Sequence, residues 1–304
     1  MLQLRTAGYL ALDRLRKSGE FPPHVSGIEE IDAVTDRFMQ RFMEERFRAS
    51  NELGPGFLLY ELLDRTVRSR EQEHMDEAST SGKEKLALIR ALDRMNDMTL
   101  AYRHQIDLLE PLIRETSSRR EGPVRILELA AGSGGLSFAL AGHALHHGID
   151  IDITATDIVP ETIDEGNRAA SERKLPVRFR VMNAFDFASI EKNSIDLVII
   201  SQSLHHFTPG QLALMIARSA EHGATAFIGL DGLRSMLLLA GVPLVASLQG
   251  IASFTGDGFT SARKFYSELE LGIIARIATG HDRYAVSESW PMSMLLVNHD
   301  SPVS

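Results

Sequence analysis

Residues 126–135 read ILELAAGSGG: three branched aliphatics around one acid, then a run of small residues with glycines at 132, 134 and 135. An apolar strand that runs into a small-residue loop and then a helix is a binding loop for a nucleotide-like ligand. The ligand is the question. A dinucleotide loop carries G-x-G-x-x-G, but here the third fingerprint position is Ser137. A phosphate loop needs Gly-Lys-Ser/Thr, and no lysine follows. Glu128, near the end of the strand, would repel a pyrophosphate and attract an ammonium or sulfonium.

Around this loop the pattern from Val124 onward alternates between β-rich runs and helix-sized segments. VRILELA, IDITATD, VRFRVMNA, IDLVIIS and ATAFIGLD are the strands, and the segments between them are long enough for crossovers. This predicts a doubly wound, mostly parallel α/β sheet covered on both faces. Residues 275–289 and 292–299 add two strand candidates separated by only Trp290–Pro291, a connection short enough to make them antiparallel. Residues 1–120 read as helical instead. IDAVTDRFMQRFMEERF puts Ile31, Val34, Phe38, Phe42 and Met43 on one stripe, LGPGF at 53–57 breaks the pattern, and a long helix is expected over about 83–115. The polar stretch 70–85 reads as loop. The expected organisation is an all-helical cap at 1–120 and a ligand-binding domain at 121–304.

ELAAGSG resembles motif I of the class I S-adenosylmethionine-dependent methyltransferases, acid-x-Gly-x-Gly-x-Gly. Glu128 takes the acidic place, Ala130 stands for the first glycine, and Gly132 and Gly134 take the other two, with Ser133 between them. That family's seven-stranded sheet also ends in an antiparallel hairpin. The resemblance implies S-adenosylmethionine as cofactor. It places Asp157 and the adjoining Ile158, at the end of the second strand, on the ribose hydroxyls, as a carboxylate accepting two hydrogen bonds. A dinucleotide enzyme would show the same acid. VMNAFDF at 181–187 stands where the family often has Gly-Asp-Ala, so Asn183, Ala184 and Phe185 are the expected adenine contacts, with Asp186 as the rival in a shifted register. In SIDLVIISQSLHHF, Ser201 and Gln202 fall at the carboxyl end of the fourth strand, the Ser201 carbonyl facing the methionine end. Tyr102 and Arg103, on the helix before the first strand, are further candidates for that end.

His205 and His206 sit where a base or an orienting group for the methyl acceptor belongs, and adjacent residues cannot both point into one pocket. His143, His146 and His147 read as a solvated helix end, and no metal site is expected. The apolar stretch around Met236, Leu237, Leu238, Val242, Leu244, Val245, Phe254 and Phe259, within an insertion at about 232–266, implies a greasy acceptor pocket or a homodimer interface. Residues 236–252 are nearly all apolar, yet shorter than the ~20 residues of a membrane span and interrupted by Pro243 and Gln249.

The expected activity is methyl transfer to a small hydrophobic or aromatic molecule, oxygen before carbon. The alternatives are a non-catalytic regulatory module on the same fold and an NAD(P)-dependent oxidoreductase. A net charge of −9 with no Lys/Arg run longer than two disfavours a nucleic-acid substrate. The absence of cysteine excludes disulfides and thiolate metal sites and suits a cytoplasmic setting, and no secretory leader is expected.

Overall fold

A computed structural model describes residues 2–77 and 79–299. Five helices precede the sheet: α1 Leu2–Lys17, α2 Ile31–Leu53, α3 Pro55–Val67, α4 Gly82–Met98 and α5 Ala101–Ser118. The sheet region runs β1 Val124–Leu129, α6 Gly135–His147, β2 Ile151–Asp157, α7 Pro160–Arg173, β3 Val177–Val181, β4 Leu197–Ser201, α8 Pro209–Glu221 and β5 Ala226–Gly232. It closes with α9 Met236–Ser247, α10 Ala252–Lys264, α11 Glu268–Thr279, β6 Tyr284–Ser289 and β7 Met292–Asn298.

The seven strands lie in the order β3-β2-β1-β4-β5-β7-β6. Pairings among β1 to β5 are parallel, whereas β7 runs antiparallel to both β5 and β6. The order reverses between β1 and β4, and that switch point opens the crevice at the carboxyl edge where ligands bind in such sheets. The central strands are mostly apolar and almost wholly buried, since both faces are covered by helices.

Two apolar layers flank the sheet. One joins Ile106, Leu109 and Ile113 of α5 to α6 and the faces of β1, β2 and β4. The other unites Leu12 of α1 and Phe38 and Phe42 of α2 with Val198, Leu212, Phe227 and Ile274, so the amino-terminal helices share a core with the sheet.

Three expectations are corrected. The helix over 83–115 is two helices, because Leu100 takes a left-handed φ of 56° and turns the chain between α4 and α5. The first third of the strand candidate 275–289 is helical, belonging to α11, whose Ile273, Ile274 and Ile277 bury against the sheet, a turn follows, and only Tyr284–Ser289 is strand. The polar stretch 70–85 is not merely solvated loop: Glu73 is 2% exposed, beside a turn of 3-10 helix at His74–Asp76.

The apolar insertion forms α9 and α10. Leu238 and Phe254 bury in small local cores, while Leu237, Leu244 and Leu248 stay exposed. No helix among the described residues is long and apolar enough to cross a membrane. The histidine cluster ends α6 as expected, with His143 paired to Glu110 at 2.9 Å and Gly148 closing the helix in a left-handed turn.

Candidate active site

A cavity of about 1380 Å³ opens over the carboxyl edge of β1, β2 and β4. One half is walled by Glu128, Ala130, Gly132, Ser133, Asp157, Ile158, Ser201 and Gln202. The other half is formed by α2 and the segments around 68–76, 203–209 and 263–270, including Met39, Met43, His205, His206 and Phe207.

The loop after β1 is wound by positive φ at Ala130 (50°), Gly132 (54°) and Gly134 (75°). Gly134 admits no side chain, since a Cβ there would lie 2.2 Å from Phe179 Cζ. At Gly135 a Cβ would lie 2.0 Å from the Tyr102 hydroxyl, so α5 closes directly on the loop. Ala130 holds a conformation that costs an L-residue about 1–2 kcal/mol. Ala130→Gly is therefore expected to raise stability by about 0.5–1 kcal/mol, glycine's greater unfolded-state freedom offsetting part of the relief. A urea unfolding midpoint lower than wild type would contradict this.

Asp157 anchors the loop as it ends β2: one carboxylate oxygen accepts from Gly132 N at 2.8 Å and the other from Val159 N at 3.0 Å. Glu128 is 5% exposed, accepts from the Ser137 hydroxyl, and has no cationic side chain within ion-pairing distance among the described residues. Burial, with the Asp157 charge adding to it, pushes its pKa up to about 7 against the Ser137 hydrogen bond. An acid buried beside a roomy cavity and lacking a counter-ion is built for a cationic ligand group.

A polar network ties this loop to the cap. The Tyr102 hydroxyl and the Ser133 hydroxyl both donate to Asp93 Oδ1, at 2.6 and 2.8 Å, and Asn96 Nδ2 reaches Tyr102 at 3.2 Å and Gln202 Oε1 at 3.0 Å. Ser201 donates to Gln105 at 2.9 Å, and its carbonyl accepts from the Ser203 hydroxyl at 3.1 Å. Asp93, Asn96 and Gln105 were not singled out from the sequence. Only the closing of α4 and α5 over the sheet gives them a role.

Not every expected residue reaches the cavity. Arg103 is exposed and does not line it, since it is rotated about 100° around α5 from Tyr102, which does. Asn183, Ala184 and Phe185 also lie outside the lining, and the Asn183 side-chain oxygen is occupied by Phe185 N at 3.0 Å, an Asx turn. Asp186 likewise caps Ala188 N at 2.9 Å. Of the described residues of the insertion, only Arg263, Lys264 and Tyr266 reach the cavity. The apolar residues expected to line it face solvent or the local cores instead.

Both candidate histidines line the cavity. His205 Nδ1 lies 2.8 Å from Asp231 Oδ2, and His206 Nδ1 lies 2.7 Å from Asp76 Oδ2. For His206, burial opposes protonation, but the Asp76 hydrogen bond and the Glu73 charge outweigh it and raise the pKa to about 9. A ring held in that state orients an anionic oxygen better than it accepts a proton.

Residues 126–240 match the family model for a methyltransferase domain. That segment, from β1 into α9, is a methyltransferase domain. Its fold is shared with two solved enzymes. The plantazolicin methyltransferase BpumL in complex with SAH is 12% identical, with 70% of this chain and 95% of that chain covered and a TM-score of 0.54. The plantazolicin methyltransferase BamL, in complex with a triazolic desmethylPZN analog and SAH, is 11% identical over 69% and 90% of the two chains, with a TM-score of 0.53. At these identities the likeness is one of fold. A methyltransferase domain makes the protein an enzyme, and both solved enzymes hold S-adenosylhomocysteine. The site fits that group: Glu128 supplies a buried acid without a counter-ion, and a Cβ on Gly132 would meet nothing within 4 Å, leaving the loop open above it.

Proposed function

We propose that this methyltransferase acts on a small hydrophobic or aromatic acceptor, through oxygen in the first instance. The carrying observation is the single continuous cavity. At about 1380 Å³ it exceeds the roughly 300–1,000 Å³ of one ordinary ligand pocket, and its two halves differ in chemistry. The half over β1 and β2 offers acids and loop amides, which suits the cofactor. The half under α2 offers Met39, Met43 and Phe207 beside the two histidines, which suits an apolar body with one polar atom.

In this reading Glu128 faces the amino-acid ammonium, and Asp157 and Ile158 hold the ribose. When bound, the cofactor supplies a methyl group on a sulfonium, displaced in line. The chain's own contribution is alignment and exclusion of water. Tyr102, fixed by Asp93 and Asn96, closes the loop side, and the Met39–Met43 face shapes the acceptor side. His205 and His206, each committed through Nδ1 to an aspartate, border the acceptor half, where His206 orients its oxygen.

Titration calorimetry with S-adenosylhomocysteine tests the cofactor half. Asp157→Ala is expected to weaken binding at least about tenfold, by removing the carboxylate that anchors Gly132 N and receives the ribose hydroxyls. Unchanged affinity in that variant would overturn the assignment. Turnover against a panel of phenols tests the acceptor half, and transfer only to carbon would move the reading to C-methylation.

A further inference from the structure

Glu73, His205 and His206 present one ligand atom each, all within 4.8 Å of one another, and the two histidines line the acceptor half of the cavity. The sequence offered no sign of this. The three residues come from a polar segment and from the turn after β4, more than a hundred positions apart, and only the fold brings them together. We propose that Glu73, His205 and His206 form a site for a divalent transition metal, with an open coordination position facing the methyl-acceptor cavity.

The tautomers point the donors inward. A carboxylate only accepts hydrogen bonds, so Asp231, 2.8 Å from His205 Nδ1, and Asp76, 2.7 Å from His206 Nδ1, place a hydrogen on each Nδ1. Both Nε2 atoms then turn towards Glu73, at 3.5 Å for His205 and 3.7 Å for His206. Those separations are too long for hydrogen bonds. They match two donors sharing one ion: ligands each about 2.0–2.2 Å from a tetrahedral metal stand about 3.4 Å apart. A carboxylate holding the Nδ1–H of a ligating histidine is the usual outer support of such a site, and here both rings have one.

A second observation is independent of that geometry. His205 is 8% exposed, and its Nε2 is a buried polar atom with no hydrogen-bond partner. An orphan of this kind is costly, and a metal ligand bond satisfies it. Charge agrees as well. Glu73, Asp76 and Asp231 are opposed at close range by Lys264 alone, whose Nζ lies 3.3 Å from Glu73 Oε1. Asp257 stiffens the ligand turn, accepting from His74 N at 2.6 Å and Met75 N at 3.2 Å.

Two imidazoles and a carboxylate suit zinc or iron(II), and three protein ligands leave a position for an outside oxygen. On the acceptor reading above, that oxygen belongs to the methyl acceptor. The metal site itself stands without that reading.

The test uses the full chain, stripped with a chelator, dialysed and titrated with Co²⁺. Visible d–d absorption should saturate at one equivalent and be abolished by one equivalent of Zn²⁺, and Zn²⁺ should raise the melting temperature. Glu73→Gln should weaken Co²⁺ binding at least tenfold while S-adenosylhomocysteine still binds by calorimetry, which also shows that the variant is folded. A wild-type protein that binds S-adenosylhomocysteine yet gives only the spectrum of aqueous Co²⁺ would overturn the metal site and leave the methyltransferase reading intact. Equal Co²⁺ affinity in wild type and Glu73→Gln would overturn it as well.

Discussion

Asp64→Ala is expected to destabilise the protein by about 3–5 kcal/mol, because it strands the buried Arg234 guanidinium. Asp64 sits at the hub of a dry charge network. Its carboxylate takes Arg46 at 2.6 Å, Arg68 at 2.8 Å and Arg234 at 2.6 Å, with all four side chains mostly or wholly buried. Arg46 keeps Glu61 and Arg68 keeps Glu270 after the substitution, both at 2.8 Å. Arg234 is left with only the carbonyls of Arg263 and Phe265. Burial alone would push the Asp64 carboxyl up, and the three guanidiniums more than reverse this, holding it well below the usual range. Glu270 follows the same logic: burial raises it, Arg68 and Arg234 pull it down, and it settles at about 2.

A depressed carboxylate pKa contributes stability that is present above its ordinary value and lost as pH falls through the folded value. Wild type should therefore lose this stabilisation as pH falls from about 4.5 towards 2, and Asp64→Ala should show a shallower acid transition. The network joins α2 and α3 to the end of β5 and to α11, so loosening it loosens the roof of the acceptor cavity. Urea denaturation read by circular dichroism checks the magnitude. A loss below about 1 kcal/mol would mean that water reaches the network and Arg234 is not stranded.

The same helix shows where reading from sequence stops. FLLYELLDRTV has helical apolar spacing, and α3 forms there, but the buried residues are Glu61 and Asp64 while Leu59, Leu62 and Leu63 face outward. Periodicity identifies a helix and its two faces. It assigns the apolar face to the core by default, and an ion network supplied by α2 and β5 overrides that default. The nucleotide loop is different in kind. ILELAAGSGG builds its strand, turn and helix start from local constraints, and its resemblance to the methyltransferase motif singled out Glu128, Gly132 and Asp157 before any fold was in view. Glu73, Asp93 and Asn96 could not, since a polar residue on a polar segment carries no mark of what will fold over it. Tyr102 and Arg103 were equivalent candidates until α5 had a register. Asn183 shows a further limit: a side chain that suits a ligand also suits its own backbone.

Glu128→Gln is expected to move stability and cofactor affinity in opposite directions. In the unliganded protein the Glu128 pKa stands at about 7 against an ordinary 4.5. For a raised carboxyl the stabilising contribution is full below the unfolded value and is lost as pH rises through the folded one. Wild type should therefore lose up to about 3 kcal/mol between pH 4.5 and 8, the shift taken at about 1.4 kcal/mol per pH unit. The glutamine variant cannot ionise and should lack that slope, so that above pH 7 it melts higher than wild type. Ligand binding reverses the order. The cofactor's ammonium requires the carboxylate, so wild-type affinity for S-adenosylhomocysteine should rise about tenfold per pH unit up to pH 7 and then level off, with a proton released on binding. The amide offers no charge to the ammonium, and its affinity should be flat with pH and at least about tenfold weaker at pH 8. Calorimetry in buffers of different ionisation enthalpy reads the released proton directly. A variant that is merely misfolded would lose both stability and affinity, whereas higher stability with lower affinity is the signature of an acid kept dry for a cation. Equal affinities of the two proteins at pH 8 would remove Glu128 from the cofactor site.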